Sequence, residues 1–260
     1  MSITSEIKNT LNRLEASKKV KILYACEAGS RAFGFASRQS DYDVRFIYAH
    51  NLDWYLGIED NKEDVIEALV NDTMDIVGWD LKKTFFLLSK SNPRLMEYLF
   101  SPIVYQRNTV FLNEIQEIAT SCYSPQANMY HYLNIATDNY EKYLCENKKA
   151  SSKKYIHAIR AILCCQWITT NHTMPPISID ALLADTSLPS TVKDRFLTLL
   201  EKKKRGRKDD ILDEVLNTYI KEQINVFDFL LETILSSTID KEKLNSKFIF
   251  LLKIFDKLFT

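Results

Sequence analysis

Two short features carry the residue types that could do chemistry here: Gly29-Ser30, which follows an apolar run, and Asp41-x-Asp43, which opens another. Glycine lets the backbone come close to a ligand, and a serine hydroxyl beside main-chain N–H groups at a helix start suits a phosphate. Residues i and i+2 of a strand face the same side, so both carboxylates are expected to point toward the space in front of the Gly-Ser turn. Unpaired, they would repel. Two close aspartates stay ionised most readily when divalent cations share them, and Mg²⁺ takes a few carboxylate oxygens and completes its shell with water and substrate phosphates. That combination suits two-metal phosphoryl or nucleotidyl transfer. Singly the features are weak, because Gly-Ser pairs mark many turns and Asp-x-Asp opens many strands; their conjunction is the signal.

A site of this kind usually wants a third carboxylate. Asp75 lies in "TMDIV", which reads as a strand, and beside the Asp43 strand it would serve as metal ligand or general base. Asp80 competes for that role, while its place before a helical pattern equally suits an N-cap. Lys83, one turn into that helix, either reaches the site or is solvated. Arg31 directly follows the serine, and its planar fork suits a triphosphate or a salt bridge to a nearby acid. Arg45 shares strand parity with the two aspartates and so falls on their face, to hold a carboxylate or to meet phosphate. Phe33 and Phe35 flank Gly34 and read as packing residues.

These residues need a sheet to hold them. Ile3, Ile7, Leu11 and Leu14 recur at helical spacing and predict an amphipathic helix over 3–18. Val20 to Cys26 reads as the first strand and Asp43 to Tyr48 as the second. An acidic stretch follows, with a short helix expected near 63–69 and a third strand over Thr73 to Val77. Asp80 caps a helix from Leu81 to about Lys90, and "SNP" offers Asn92 as N-cap with Pro93 at the first helical position. "SPIVYQ" reads as a short strand and Thr109 to Thr120 as a helix. From Ser124 onward the pattern is helical nearly throughout, broken at "NKKASS", "NHTMPPIS", "SLPS" and "RGRKDD". A mixed half thus precedes an all-α half, giving two expected domains, 1–122 and 123–260. The apolar tail "FIFLLKIFDKLF" is expected to pack internally.

The chain of 260 residues balances 34 Lys and Arg against 34 Asp and Glu, so no global field announces a nucleic-acid or membrane partner. Five cysteines without C-x-x-C spacing read as reduced core thiols. No uncharged apolar run approaches membrane-spanning length and the N-terminus lacks a signal-peptide core, so the expected location is the cytoplasm, without a membrane partner. Local charge is more telling. "EKKKRGRK" at 201–208 holds six basic residues and one acid, and either attracts RNA or DNA or is simply solvated. Along "KKASSKKYIHAIRAILCCQWI" at 148–168, Lys153, Lys154 and Arg160 accompany Tyr155 and His157; such a helix either binds phosphates and a base or presents a solvated basic face over a buried aromatic. Asp53 to Asp75 carries eight acids and one lysine, which disfavours a polyanion across that edge except through metal. The histidines are too scattered for a zinc site, and no Ser-His-Asp or Cys-His set assembles.

"GSRAFGFASRQSDYDVRFIY" followed by "DIVGWDLKKTFFLLSKSNPRLMEYLFSPIVY" resembles the nucleotidyltransferases of the RNA-ligase-associated type, within the DNA polymerase β-like nucleotidyltransferase superfamily. The superfamily pattern falls on Gly29, Ser30, Asp41 and Asp43 without departure. The longer family pattern adds Arg31, Gly34, Ser40, Tyr42, Arg45, Trp79, Asp80 and Lys83, and a Lys-Lys-Tyr-x-x-x-x-Arg pattern matches Lys153, Lys154, Tyr155 and Arg160. The resemblance is strong over 24–105, moderate over 130–180 and weak beyond. It implies an α+β fold, with a small mixed sheet flanked by helices followed by an all-α domain forming the other wall of a cleft. It further implies transfer of a nucleoside monophosphate from a nucleoside triphosphate, dependent on Mg²⁺ or Mn²⁺, to an acceptor hydroxyl. RNA is the first acceptor to consider, and an RNA ligase the first protein partner. Asp41, Asp43 and Asp75 would hold metal, Gly29 and Ser30 the β- and γ-phosphates, and Arg31, Arg45, Lys83, Lys154, Tyr155 and Arg160 the rest of the nucleotide. The competing class is a non-catalytic nucleotide- or RNA-binding regulatory protein of the same fold, or a subunit acting through an RNA ligase; the intact motif argues against degeneration without proving turnover.

Overall fold

A computed structural model of the chain describes residues 2–58, 63–71, 73–145, 149–207, 209–234 and 237–259. The chain divides into two compact units: Met1–Ala32, Asp41–Cys122 and Thr238–Thr260 form the first, and Phe33–Ser40 with Tyr123–Ser237 form the second. The division differs from a single boundary near residue 122 in two segments. The spacer of the Gly-Ser and Asp-x-Asp motif packs with the second unit, and the C-terminal helix returns to the first.

The first unit is built on a five-stranded sheet. Helix α1 (Ile3–Lys18) leads into β1 (Lys21–Glu27), a one-turn α2 (Gly29–Ala32) and β2 (Tyr42–Ala49); α3 (Leu52–Leu56) precedes the hairpin of β3 (Val65–Asn71) and β4 (Met74–Asp80). Then come α4 (Leu81–Leu88), α5 (Pro93–Leu99), β5 (Val104–Arg107) and α6 (Thr109–Ser121). The strand order is β3-β4-β2-β1-β5, with β2 parallel to β4 and the other pairs antiparallel. β1 is buried almost throughout, as a central strand covered on both faces must be. β4 instead alternates throughout and β2 over residues 43–46, before its buried end: Val44, Phe46 and Tyr48 join Met74 and Ile76 in a core with Ile7 and Leu11 of α1. Asp43, Arg45, Asp75, Val77 and Trp79 are therefore left to the opposite face. Gly78 is required here, because a Cβ on it would lie 2.2 Å from the Phe46 ring.

The short helix expected near 63–69 is instead the strand β3. Paired along β4, with Val65 opposite Trp79 and Ala68 opposite Ile76, the segment gains a full ladder that outweighs its local helical pattern. The caps behave as the residue types require: Asp80 opens α4 and Asn92 opens α5 before Pro93. The C-terminal helix Lys241–Asp256 buries Leu244, Leu251, Leu252 and Phe255; its Phe248 packs on Phe85 and Tyr55, and Asp256 accepts the Leu52 N–H at 2.8 Å.

The second unit is helical: α7 (Pro125–Asn139) running into a π-helical turn (Tyr140–Leu144), then α8 (Ser152–Asn171), α9 (Ile179–Asp185), α10 (Ser190–Lys204) and α11 (Glu214–Leu231). α8 is apolar nearly all round, from Tyr155 through Ile162 to Ile168, and is the buried central helix. A two-stranded ladder, β6 (Ala150–Ser151) with β7 (Asp210–Ile211), ties the start of α8 to the segment after α10. Phe33 and Phe35 belong to this unit because their rings pack on α8: Arg160 lies 3.6 Å over Phe33 and His157 meets Phe35 edge-on at 5.8 Å. Among the described residues Cys26, Cys122, Cys164 and Cys165 are buried free thiols, and no helix is long and apolar enough to cross a membrane.

Candidate active site

Glycine is what allows the turn after β1 to press against β2. Gly29 adopts φ +60°, and a Cβ there would lie 2.2 Å from Asp43 Oδ2. The main chain of Asp43 is held on both sides, since the Ala28 N–H donates to its carbonyl at 2.8 Å and its own N–H donates to Glu27 Oε1 at 2.8 Å. Glu27 is fully buried and also accepts from the Tyr105 hydroxyl of β5, while its carbonyl accepts the Ser101 hydroxyl at 2.6 Å. Burial pushes the Glu27 carboxyl above its usual range, opposed by the bonds from Tyr105 and the Asp43 N–H. Glu27 is the residue that sequence reasoning missed. The available signal was an acid ending an apolar strand, directly before the turn, where no solvated position was expected.

The parallel register sets Asp43 directly opposite Asp75. Arg45, two residues along β2, puts Nη2 2.8 Å from Asp75 Oδ2 and 3.5 Å from Asp43 Oδ1, and Nη1 donates to the Asp75 carbonyl at 3.2 Å. Arg45 is thus paired with both carboxylates. Asp41 is exposed and sits one residue ahead of β2. Its carbonyl accepts the Arg31 Nε–H at 3.1 Å, and the Arg31 guanidinium stacks 3.6 Å over the Tyr42 ring. Ser30 lies within α2.

Other expected contributors stand elsewhere. Lys83 bonds both carboxylate oxygens of Asp64 at 3.0 Å. It follows Asp80, which stands five residues along β4 from Asp75, roughly 16 Å at the strand rise. The acidic segment holds it there, so Lys83 is not gathered with Asp43 and Asp75. Asp80 is the helix cap: Oδ1 accepts the Lys82 N–H and Oδ2 the Tyr55 hydroxyl, both at 2.7 Å, and burial pushes its carboxyl up to about 6. In the second unit Lys154 lies 3.7 Å over the Tyr143 ring. Tyr155 is fully buried with its hydroxyl accepting the Asp213 N–H at 3.2 Å, so its ring has no face to offer a base. Arg160 is 5% exposed, stacked on Phe33 and bonded to the Ile177 carbonyl at 3.3 Å, a packing role in place of the expected nucleotide contact. Both corrections follow from α8 being buried nearly all round.

Among the described residues no three His, Cys, Asp or Glu side chains come together as a metal cage. The donor set that does exist, Asp43 and Asp75 in register with side chains 34% and 45% exposed, fits a hydrated cation that completes its shell with water and phosphate oxygens. At Gly29 the backbone packs directly against the Asp43 carboxylate, where any side chain would collide with it.

A family model described as RNA repair pathway DNA polymerase beta family matches residues 3–249. The chain belongs to that family. The mixed α+β architecture, a five-stranded sheet in one unit and helices in the other, stands with that membership. An uncharacterized protein, YcgL of Bacillus subtilis (strain 168), is 42% identical over 216 residues, covering 82% of each chain. A nucleotidyltransferase-like protein from Exiguobacterium sibiricum 255-15, known from a crystal structure, is 11% identical at a TM-score of 0.29, covering 89% of this chain and 75% of that one; a likeness at that level carries no argument about this chain.

Proposed function

We propose that the protein transfers a nucleoside monophosphate from a nucleoside triphosphate to an acceptor hydroxyl of RNA. The observation that carries this reading is the register of Asp43 opposite Asp75, beside the glycine turn and bridged by Arg45. Bound Mg²⁺ or Mn²⁺ would supply Lewis acidity at the reacting phosphate and the attacking oxygen. Asp43 and Asp75 would hold it, with Asp41 as a further exposed carboxylate at the mouth. Glu27 and Ala28 fix the Asp43 backbone, Gly29 and Ser30 receive the β- and γ-phosphates, and Arg31, next in sequence, is braced on the Tyr42 ring and the Asp41 carbonyl. As the acceptor oxygen bonds to the α-phosphorus, the bond to pyrophosphate breaks, and a carboxylate of this set takes the hydroxyl proton. Membership of a family described by an RNA repair pathway supports RNA as acceptor, and an RNA ligase is the protein partner we propose to test first.

A non-catalytic nucleotide-binding protein is the second reading, favoured by one fact: Arg45 already neutralises Asp75 at 2.8 Å, as a site with no metal would need. The two separate on incubating the protein with labelled nucleoside triphosphates, Mg²⁺ or Mn²⁺, and a mixed RNA pool, with Asp41→Ala/Asp43→Ala as control. Transfer abolished by the double substitution is the expected result. Transfer that survives it refutes the mechanism, and no transfer with any of the nucleotides favours the binding protein.

A further inference from the structure

Two basic runs almost fifty residues apart in sequence meet in the second unit. The β6–β7 ladder sets Ala150 opposite Ile211 and Ser151 opposite Asp210, and the Ser152 N–H donates to the Asp209 carbonyl at 3.2 Å. The first turn of α8, with Lys153 and Lys154, is thereby bound to the segment that follows α10, whose last turn carries Lys202 and Lys203 and whose exit carries Arg205 and Arg207; Lys208, the end of that run, lies outside the described residues. Of the junction's acids Asp210 is exposed opposite Ser151, and two others are loosely paired. Asp209 stands 3.8 Å from Lys202 and Glu201 3.6 Å from Arg205, both pairs solvent-exposed and so worth little against a phosphate. Tyr143, 42% exposed, lies under Lys154 and adds an aromatic surface to the cations.

We infer that this junction is the surface on which the protein holds the phosphodiester backbone of single-stranded RNA, Lys153 and Lys154 from one run acting together with Lys202 and Lys203 from the other. The inference rests on RNA being the acceptor. A chain with no net charge gains such a site only by concentrating cations locally, and cations beside an exposed aromatic are the features single strands use. The fields of the two runs do converge: His157, one turn into α8, is held down to about 4, first by burial and then by Lys153, Arg160, Lys154 and Lys203.

The test is fluorescence anisotropy of a labelled oligo(U) with the full chain, without nucleotide or divalent metal, over a series of salt concentrations. Lys153→Ala/Lys154→Ala and Lys202→Ala/Lys203→Ala should each weaken binding on the order of tenfold at 0.1 M salt and lower the log–log salt slope by about 1.4, two lysines at about 0.7 each. RNA should also raise the His157 titration midpoint in NMR, because it brings negative charge to the point where the runs converge. Unchanged affinity in both variants, an unmoved His157, equal binding of duplex DNA, or displacement of RNA by stoichiometric free ATP would each overturn the assignment. Loss of nucleotidyl transfer in Asp41→Ala/Asp43→Ala with RNA affinity intact leaves both readings standing. Transfer to a non-RNA acceptor in a protein that binds no RNA sinks this inference alone, and RNA binding without any transfer sinks the catalytic reading alone.

Discussion

Glu27 is where removing one side chain should separate stability from positioning. Glu27→Ala takes the acceptor from two donors, the buried Tyr105 hydroxyl and the part-buried Asp43 N–H. An orphaned buried donor costs about 1–3 kcal/mol, which Tyr105 alone accounts for; the part-buried Asp43 N–H adds less, and removal of a carboxylate that burial disfavours offsets some of the sum. Glu27→Gln behaves differently. Its Oε1 still accepts the Asp43 N–H, its amide can donate to a Tyr105 hydroxyl turned to accept, and the charge is gone. The carboxyl of Glu27 lies above its unfolded value of 4.5, so the native state binds that proton more tightly. The stability this confers is present below the unfolded value and lost as pH rises through the folded one. Glutamine should therefore match or exceed wild type in urea unfolding at neutral pH and lose that advantage below pH 4.5, with alanine the less stable throughout. On the proposed reading Mn²⁺ affinity, read by paramagnetic resonance, falls in the alanine variant and is restored in the glutamine one. Equal destabilisation by alanine and glutamine at every pH would refute the hydrogen-bond account; unchanged Mn²⁺ affinity in the alanine variant would refute the positioning of Asp43.

Gly29→Ala puts a Cβ 2.2 Å from Asp43 Oδ2 at φ +60°. It should cost about 1–2 kcal/mol in backbone strain and, by displacing Asp43, about 100-fold in transfer rate; a fully active variant would contradict the close approach. Asp80 is raised from 3.8 to about 6, which is about 3 kcal/mol of stability present at low pH and lost as pH rises through that window. Asp80→Asn keeps the cap and should flatten the unfolding free energy between those values, and a slope equal to wild type there would assign the titration to another group. Tyr155→Phe leaves the Asp213 N–H without its partner and should cost about 1 kcal/mol while RNA affinity stays at the wild-type value. Arg45→Gln should tighten Mn²⁺ binding measured without nucleotide, and weaker binding would mean that Arg45 orders the carboxylates more than it opposes a cation.

What the sequence made legible follows period and spacing. Alternation along "DYDVRFIY" separates Val44, Phe46 and Tyr48 from Asp43 and Arg45, and a face can be read from one strand alone. The sequence nominates Asp75 as a strand neighbour of Asp43 but not the register that sets the two directly opposite, because a parallel pair leaves no turn in sequence to declare it. Lys83 shows the complementary failure: its helix was legible, but the end of the sheet that helix occupies was not, and Asp64 claims it there. Tyr155 and Arg160 misled because a lysine- and arginine-bearing helix looks amphipathic until both of its sides are covered. The meeting of two basic runs was invisible for a plainer reason, since two-residue strands such as β6 and β7 carry no periodicity.

Arg45 makes the charge balance of the site conditional. Asp43, Asp75 and the guanidinium between them sum to one negative charge, half of what the two carboxylates would present alone. A divalent cation approaching that trio is attracted by the aspartates and opposed by an arginine within 4 Å of both, so on the proposed reading it binds weakly unless it brings further negative charge with it. A triphosphate supplies that charge. It also gives the arginine an alternative partner, since a guanidinium fork bonds phosphate as readily as carboxylate. The same ion pair that keeps two neighbouring aspartates compatible in the free protein thus favours a metal that arrives on its nucleotide over the metal alone.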